Sequence, residues 1–294
     1  MKCFYHSTDL DGICSGAIIK YVHPECKMFG INYGQVFPID EIQKEETVYM
    51  VDFGLQPISE LISLDTYIKN INGKFVWIDH HKSAIDDAKA QNFDPIGLRR
   101  VGDAACELVW EYMVNEKENR TIEISRTVPT GVKLLGRYDV WDLTFNENVS
   151  TFQYGMQSEN AIVDSELWKL IFMNDHETIE RLCNNGKVIQ GFQKIKDAQY
   201  VGFYSFGTTL NGLRAIAVNR GNTGSTIFNS VWDEDKYDLM ITFVKIPSGK
   251  WTVSLYSTKK HIDCGAIAKS FGGGGHVGAA GFQIDTLPFK MKGE

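Results

Sequence analysis

The chain has 294 residues, of which 43% are apolar and 23% charged, a composition that excludes a disordered chain and allows one large domain or two of ordinary size. Its longest apolar runs, such as Ala17-Ile18-Ile19, fall far short of the ~20 residues that span a bilayer. The net charge of −7 is uneven, with 20 basic against 30 acidic residues over 1–199 and 10 against 7 over 200–294, which argues against a protein that coats long nucleic acid.

Lys2–His6 reads as a short strand ending in polar residues, and Gly12–Val22 as a helix that stops before His23-Pro24. Thr47–Val51 is a second strand, followed by Asp52-Phe53-Gly54, and Pro57–Ile68 is a helix with proline in its first turn. Lys74–Ile78 is a third strand that runs into Asp79-His80-His81. Helices are expected at 103–117 and 129–138, and a helical stretch across 164–199. Beyond residue 200 the texture turns to strands at 201–206, 213–218, 238–244 and 251–256, with helices near 223–231 and 263–270.

This alternation predicts an α/β protein: a doubly wound, mostly parallel N-terminal sheet and a smaller α/β C-terminal domain, joined by a helical linker. The expected boundaries are 1–175, 176–199 and 200–294. Six cysteines at 3, 14, 26, 106, 183 and 264 include no CxxC pair. They are expected as reduced, buried thiols in a soluble cytoplasmic protein. The N-terminus lacks an apolar stretch with a cleavage site, so no signal peptide and no membrane partner are expected.

Three strands end in clusters of histidine and aspartate: His6-Ser7-Thr8-Asp9-Leu10-Asp11-Gly12, then Asp52, then Asp79-His80-His81. Ligand sites of open α/β sheets lie beyond the C-terminal ends of the strands, so parallel neighbours would bring these clusters to one edge. Carboxylates and imidazoles without thiolates favour Mn²⁺, Mg²⁺ or Zn²⁺, with Mn²⁺ the best match. Seven candidate ligands exceed the needs of one ion. Two ions sharing a carboxylate could activate a hydroxide and clamp a phosphoryl group.

The strand followed by Asp79-His80-His81, with His6-x-x-Asp9-x-Asp11-Gly12 upstream, resembles the DHH phosphoesterase superfamily. Gly272-Gly273-Gly274-Gly275-His276-Val277-Gly278 resembles the GGGH signature of the associated C-terminal domain, which marks the branch of nanoRNases, oligoribonucleases and RecJ-type exonucleases. The resemblance implies one metal ion on His6, Asp9 and Asp52 and a second on Asp11, Asp52, His80 and Asp139, Asp142 being the alternative for the last. It implies that Asp79 orients a histidine and that His81 faces the substrate phosphate. It also implies substrate contacts from Gly273, Gly274, Gly275 and His276.

Two departures stand out. Two residues separate His6 from Asp9 where many relatives have three, and Tyr256 stands where many carry a phosphate-binding arginine. A tyrosine can stack on a base or donate one hydrogen bond but makes no bidentate ionic contact. The consecutive glycines are read as an anion cradle rather than a plain helix cap. Blander readings are preferred elsewhere. Arg99-Arg100 is expected as a solvated loop pair and Lys259-Lys260 as an exposed turn, Lys82 is left open, and Trp77, Trp110, Trp141 and Trp168 are assigned to the core.

The expected activity is that of a phosphodiesterase with two divalent ions, Mn²⁺ first and Mg²⁺ or another ion as substitutes. It would hydrolyse short RNA or DNA oligonucleotides, linear dinucleotides or a small nucleotide such as pAp through a metal-bridged hydroxide. Substrate would lie between the two domains, and a homodimer is left open. A single-strand exonuclease, an exopolyphosphatase or cyclic-nucleotide phosphodiesterase, and a non-catalytic nucleotide sensor are the alternatives.

Overall fold

The protein was analysed as a computed structural model that describes residues 1–116, 122 and 124–291. Residue 117 of the expected helix at 103–117 and residues 292–294 of the C-terminal domain lie outside the described residues. The chain divides into two compact units, Met1–Gln190 and Gly191–Glu294. Among the described residues no helix is long and apolar enough to cross a membrane.

The first unit begins with β1 (Lys2–His6), α1 (Leu10–Val22), β2 (Lys27–Ile31) and β3 (Thr47–Val51). It continues through α2 (Ile58–Asn70), β4 (Lys74–Ile78), α3 (Lys82–Ala90), α4 (Ala105–Asn115), α5 (Thr130–Asp139), α6 (Val149–Gln157) and α7 (Leu167–Phe172). Its four strands are all parallel in the order β2-β1-β3-β4. Alternate side chains feed two cores, as a pleated strand buried on both sides requires. Cys3, Tyr49, Val51, Val76 and Ile78 pack on the side of α1, α4 and α5, and Phe4, Val48, Met50, Phe75 and Trp77 on the side of α2.

The strand order reverses between β1 and β3, the place where such sheets open a crevice at their C-terminal edge. Tyr5 is level with Val51, and Val51 with Ile78, so His6, Asp52 and Asp79 follow as a row on three neighbouring strands spaced about 4.8 Å apart. Beyond β4, residues 96–100 run alongside it and cover its outer edge, with Trp77 N donating to Ile96 O and Asp79 N to Leu98 O. Arg99 is not solvated: its guanidinium donates to Trp77 O, Pro95 O and Asp94, tying this segment to the sheet, while Arg100 pairs with Asp103 and Glu111.

The long helix α8 (His176–Tyr204) begins in the first unit and ends in the second. The strand expected at 201–206 is therefore corrected, because helix continues to Tyr204 and β5 (Phe206–Leu210) starts later. β6 (Leu213–Asn219), β7 (Leu239–Lys245), β8 (Trp251–Tyr256), α9 (Cys264–Ser270), β9 (Gly274–Gly275) and β10 (Ala279–Ile284) complete the second unit. Its mixed sheet has the order β5-β6-β7-β8-β10-β9. The helix expected at 223–231 is only a 3₁₀ turn over Ser225–Phe228. All six cysteines are buried and none is paired.

Two elements near the crevice escaped the pattern reading. β2 is an edge strand with a glycine and little buried surface, so it lacks the apolar run that betrays a strand. α3 does carry helical spacing in Ala84, Ile85 and Ala88, but it is short and starts directly after His81.

The first turn of α1 lies so close to β1 that a Cβ on Gly12 would sit 2.1 Å from His6 O and 2.7 Å from His6 Cβ. Gly12→Ala must push α1 away from the end of β1. It should cost about 1–3 kcal/mol in chemical denaturation and weaken divalent-metal binding in the same sample; full stability with displaced metal affinity, or the reverse, would show that this contact does not position His6.

Candidate metal centre

Asp52 follows β3 with its backbone in the left-handed region (φ 54°) and its N–H bonded to Ile78 O, at a cost of roughly 1 kcal/mol for a residue with a β-carbon. This turn aims the buried carboxylate across the crevice. Asp52 Oδ2 lies 3.5 Å from His6 Nδ1, and Oδ1 lies 3.3 Å from His80 Nε2 and 3.8 Å from His81 Nδ1. Asp52 thus belongs at once to three groups of potential ligands: His6 with Asp9, Asp11 with His80, and Asp79 with His81.

Asp9 is the N-cap of α1, where one carboxylate oxygen accepts from Gly12 N at 2.9 Å and the other lies 3.0 Å from His6 Nδ1. Asp11, in the first turn of the same helix, is buried. Its two oxygens accept from Ala105 N and Cys106 N, each at 2.9 Å, capping α4, whose own N-cap residue Ala104 has no side chain to do so. Asp11 Oδ2 also lies 3.6 Å from His80 Nε2. At the end of α5, Asp139 Oδ2 lies 3.3 Å from the same imidazole nitrogen. Asp142 instead accepts from Thr144, so Asp139 is the aspartate of the pair that faces the cluster.

Asp79 has a different function in the geometry. Its Oδ1 accepts from His80 N, His81 N and His81 Nδ1 at 2.7, 3.1 and 2.7 Å. Because a carboxylate only accepts, the proton of this ring contact sits on His81 Nδ1, and Nε2 is the remaining nitrogen.

Burial opposes charge on His6, His80, His81, Asp52, Asp11 and Asp139, and the neighbours decide the outcome. Asp52 and Asp9 overcome it at His6 and raise that imidazole to about 10. At His80 the adjacent Asp52, Asp11 and Asp139 raise it to about 11, and at His81 the adjacent Asp79 and Asp52 to about 9. Asp52 is held below the usual carboxylate range against its burial by His6, His80 and His81. Burial and the charge of Asp52 push Asp139 up to about 7 and Asp11 well above its ordinary value.

His6 Nδ1, Asp52 Oδ1 and Asp139 Oδ2 are buried polar atoms without a hydrogen-bond partner. Orphaned oxygen and nitrogen donors around Asp52, with carboxylates in excess, are the chemistry of divalent-cation sites. The residues present fit such ions.

Tyr33 was not singled out by sequence reasoning. It follows the overlooked strand β2, stacks on Phe53 at 4.5 Å and meets His6 edge-on at 5.8 Å. Burial, then Asp79 and Asp52, raises its phenol and keeps it neutral. Lys82 pairs with Asp86. Trp77, Trp110 and Trp168 are buried as expected, but Trp141 is half-exposed, which corrects its assignment to the core.

In the second unit the glycines have structural reasons of their own. Gly272 ends α9 with φ +80°, and a Cβ on Gly273 or Gly275 would sit 2.1 Å from Gly281 O or 2.6 Å from Ala280 Cα on β10. Gly272 and Gly274 both keep open space over their Cα, but Gly272 is held in the left-handed region, so one turn and close strand pairing, rather than an anion alone, explain three of the four glycines. His276 N donates to Ala279 O at 2.7 Å to close the β9–β10 turn. Tyr256 packs beside the core of Val201, Ile216 and Phe228, with its hydroxyl donated to Thr223 O at 3.2 Å.

Residues 3–134 match the family model described as the DHH family, N-terminal domain, and residues 219–291 match the DHHA1 domain. The chain is 22% identical to oligoribonuclease NrnB of Bacillus subtilis, over 99% of this chain and 75% of that protein. It is 24% identical to an uncharacterized protein of Acanthamoeba polyphaga mimivirus, over 97% of this chain and 69% of the relative. Among solved structures, the DHH domain of a member of the s1p family of ribosomal proteins is similar with a TM-score of 0.56 and 14% identity, covering 97% of this chain and 82% of the other. At that identity the likeness concerns the fold. The pGpG-specific phosphodiesterase PggH from Vibrio cholerae is similar with a TM-score of 0.49 at 12% identity, covering 96% and 92% of the two chains.

Two outcomes follow from this geometry. Protons on the two candidate histidine ligands, His6 and His80, compete with a cation, so affinity for Mn²⁺ should rise as pH is raised from about 6 to about 9 and binding should release protons. Calorimetry in two buffers of different ionisation enthalpy reads this directly, and binding without proton release would contradict the assigned ligands. Asp11→Ala strands two amides of α4 and should destabilise the protein by at least about 2 kcal/mol even in chelator, whereas a residue that served only as a metal ligand would show its cost only with metal present.

Proposed function

Because the chain belongs to the DHH family of phosphoesterases, combining its N-terminal domain with a DHHA1 domain, we propose that it is a metal-dependent phosphodiesterase of short nucleotides. Linear dinucleotides, RNA or DNA fragments of a few residues and small nucleotides such as pAp are the substrates in view. The observation that carries the reading is the position of Asp52, a single buried carboxylate within reach of two separate donor groups. His6, Asp9 and Asp52 would hold one divalent ion, and Asp11, Asp52, His80 and Asp139 a second, with Mn²⁺ best suited to the mixed oxygen and nitrogen donors. When bound, such a pair supplies a nucleophile from water at neutral pH and neutralises the charge of the phosphoryl oxygens.

The protein's own groups do the positioning. Asp79 orients the ring of His81 through Nδ1, which supports a role for the ring's other edge toward the substrate. From there His81 donates a hydrogen bond to a phosphoryl oxygen or a proton to the leaving oxygen. Its protonation is maintained by Asp79 and Asp52, which raise the imidazole to about 9 against its burial. Gly274 and His276 are assigned to the substrate from the second unit, with Gly273, Gly275 and Tyr256 in supporting positions.

Short substrates are favoured over long strands by three features. The overall charge is negative, residues 200–294 carry only a small basic excess, and the similarity to an oligoribonuclease extends over nearly the whole chain. A long single strand calls for a basic groove that tracks its backbone.

Hydrolysis of a 5′-labelled RNA series from two to about twenty nucleotides, with Mn²⁺ and with pAp and polyphosphate alongside, tests the reading. Rates concentrated on the shortest members or on pAp are expected, and rates that hold or climb with length would replace it by a processive exonuclease. His81→Ala should lower kcat by about 10²–10⁴-fold with metal binding retained.

A further inference from the structure

Helices α2, α3, α5, α7 and α9 all end in the same hydrogen-bonded turn. The residue after the C-cap takes a left-handed backbone and donates to the carbonyl three residues back, and the next residue donates to the carbonyl five back. That left-handed position suits glycine, which has no β-carbon, and is tolerated by asparagine. The chain uses Asn72, Asn92, Asn174 and Gly272 at four of these ends, with φ of 59°, 51°, 58° and 80°. At the end of α5 it uses Trp141, with φ of 60°.

A tryptophan is a poor choice there on backbone grounds, and burial does not compensate for it. Trp141 is 49% exposed, whereas Trp77, Trp110 and Trp168 are at most 2% exposed. Its only ring contact among the described residues is edge-on to Tyr138, with centroids 5.6 Å apart. The turn itself is well formed: Trp141 N donates to Tyr138 O at 3.1 Å, and Asp142 N to Arg137 O at 2.8 Å. The turn therefore needs a left-handed residue and does not need an indole.

The position explains the choice. Asp139, whose carboxylate lies 3.3 Å from His80 Nε2, is two residues away, so its Cα and that of Trp141 are no more than about 7 Å apart. We propose that Trp141 is a stacking platform for a nucleobase of the substrate, beside the phosphate held at the metal centre. The proposal rests on the short-nucleotide reading above and deepens it. A flat aromatic surface attracts a heterocyclic base of any sequence and offers nothing comparable to a polyphosphate chain, so it restricts the substrate class to base-bearing phosphates.

The test measures equilibrium binding of a non-hydrolysable, phosphonate-linked ribodinucleotide ApA and of its abasic analogue, in which tetrahydrofuran replaces one nucleoside, to the metal-loaded protein. Wild type should prefer ApA by about 5- to 150-fold, the range expected for one stacked base. In Trp141→Asn, which the left-handed turn accepts, that preference should fall toward unity, and Trp141→Phe should keep most of it. The difference in tryptophan fluorescence between wild type and Trp141→Phe should be quenched by ApA and not by the analogue. An unchanged preference in Trp141→Asn, or equal weakening of both ligands, overturns the proposal; should Trp141→Asn fold poorly, complete loss of the preference in Trp141→Phe, or no ApA-specific quenching, overturns it as well. Trp141-dependent binding without hydrolysis of any short nucleotide would instead support stacking and remove the phosphodiesterase reading.

Discussion

A buried carboxylate surrounded by imidazoles organises the first unit of this protein. Asp52 sits where the parallel sheet reverses its strand order, its backbone turned left-handed so that its oxygens reach His6 on one side and His80 on the other. Burying such a charge without compensation would be prohibitive. Three imidazoles raised into their protonated range keep it ionised, and divalent cations would replace the protons of His6 and His80 when they bind. The proton-loaded cluster and the metal site are two states of the same electrostatic balance.

The balance extends into the scaffold. Asp9 and Asp11 lie in one turn and both act as helix caps, Asp9 for α1 and Asp11 for the distant α4. Each points an oxygen at the imidazole groups as well. Residues that hold helices in place are thereby the residues that face the candidate metal centre, which couples the precision of the site to the packing of α1 against β1 and α4. Gly12 serves the same end by allowing α1 to start almost in contact with His6. Asp79, whose Oδ1 accepts from two amides and the His81 ring, contributes orientation.

Away from the cluster, the chain spends backbone strain sparingly. Asparagine or glycine occupies the left-handed turns that end α2, α3, α7 and α9. Among the described residues, the left-handed ones that are neither asparagine nor glycine are Glu45, Asp52, whose turn aims a carboxylate, and Trp141, half-exposed and two residues beyond Asp139. Strained non-glycine residues are held at functional sites by the surrounding structure, and Asp52 fits that rule, whereas Glu45 lies in the loop before β3.

Much of this was legible in the sequence. Polar clusters directly after apolar strands placed His6, Asp9, Asp52, Asp79, His80 and His81 at one edge, because a parallel sheet leaves little choice about where strand ends point. Strand ends at Ile78 and Val51 were readable for the same reason: an abrupt change from apolar to charged residues coincides with the change from buried sheet to crevice. What depended on long-range packing was not readable. The preference for Asp139 over Asp142 is decided by where α5 ends relative to His80, and the capping of α4 by Asp11 links residues 94 positions apart. Three of the four consecutive glycines answer to a turn and to β10, a strand too rich in glycine and alanine to announce itself. Trp141 looked like core because its neighbours are apolar, and only the path of the chain leaving α5 turned its ring outward. The sequence by itself determined the kinds of donor atoms and the strand ends that carry them, since those are local properties. The tertiary structure alone decided which donors meet and which aromatic ring is left in water, since contact and exposure depend on elements far apart in the chain.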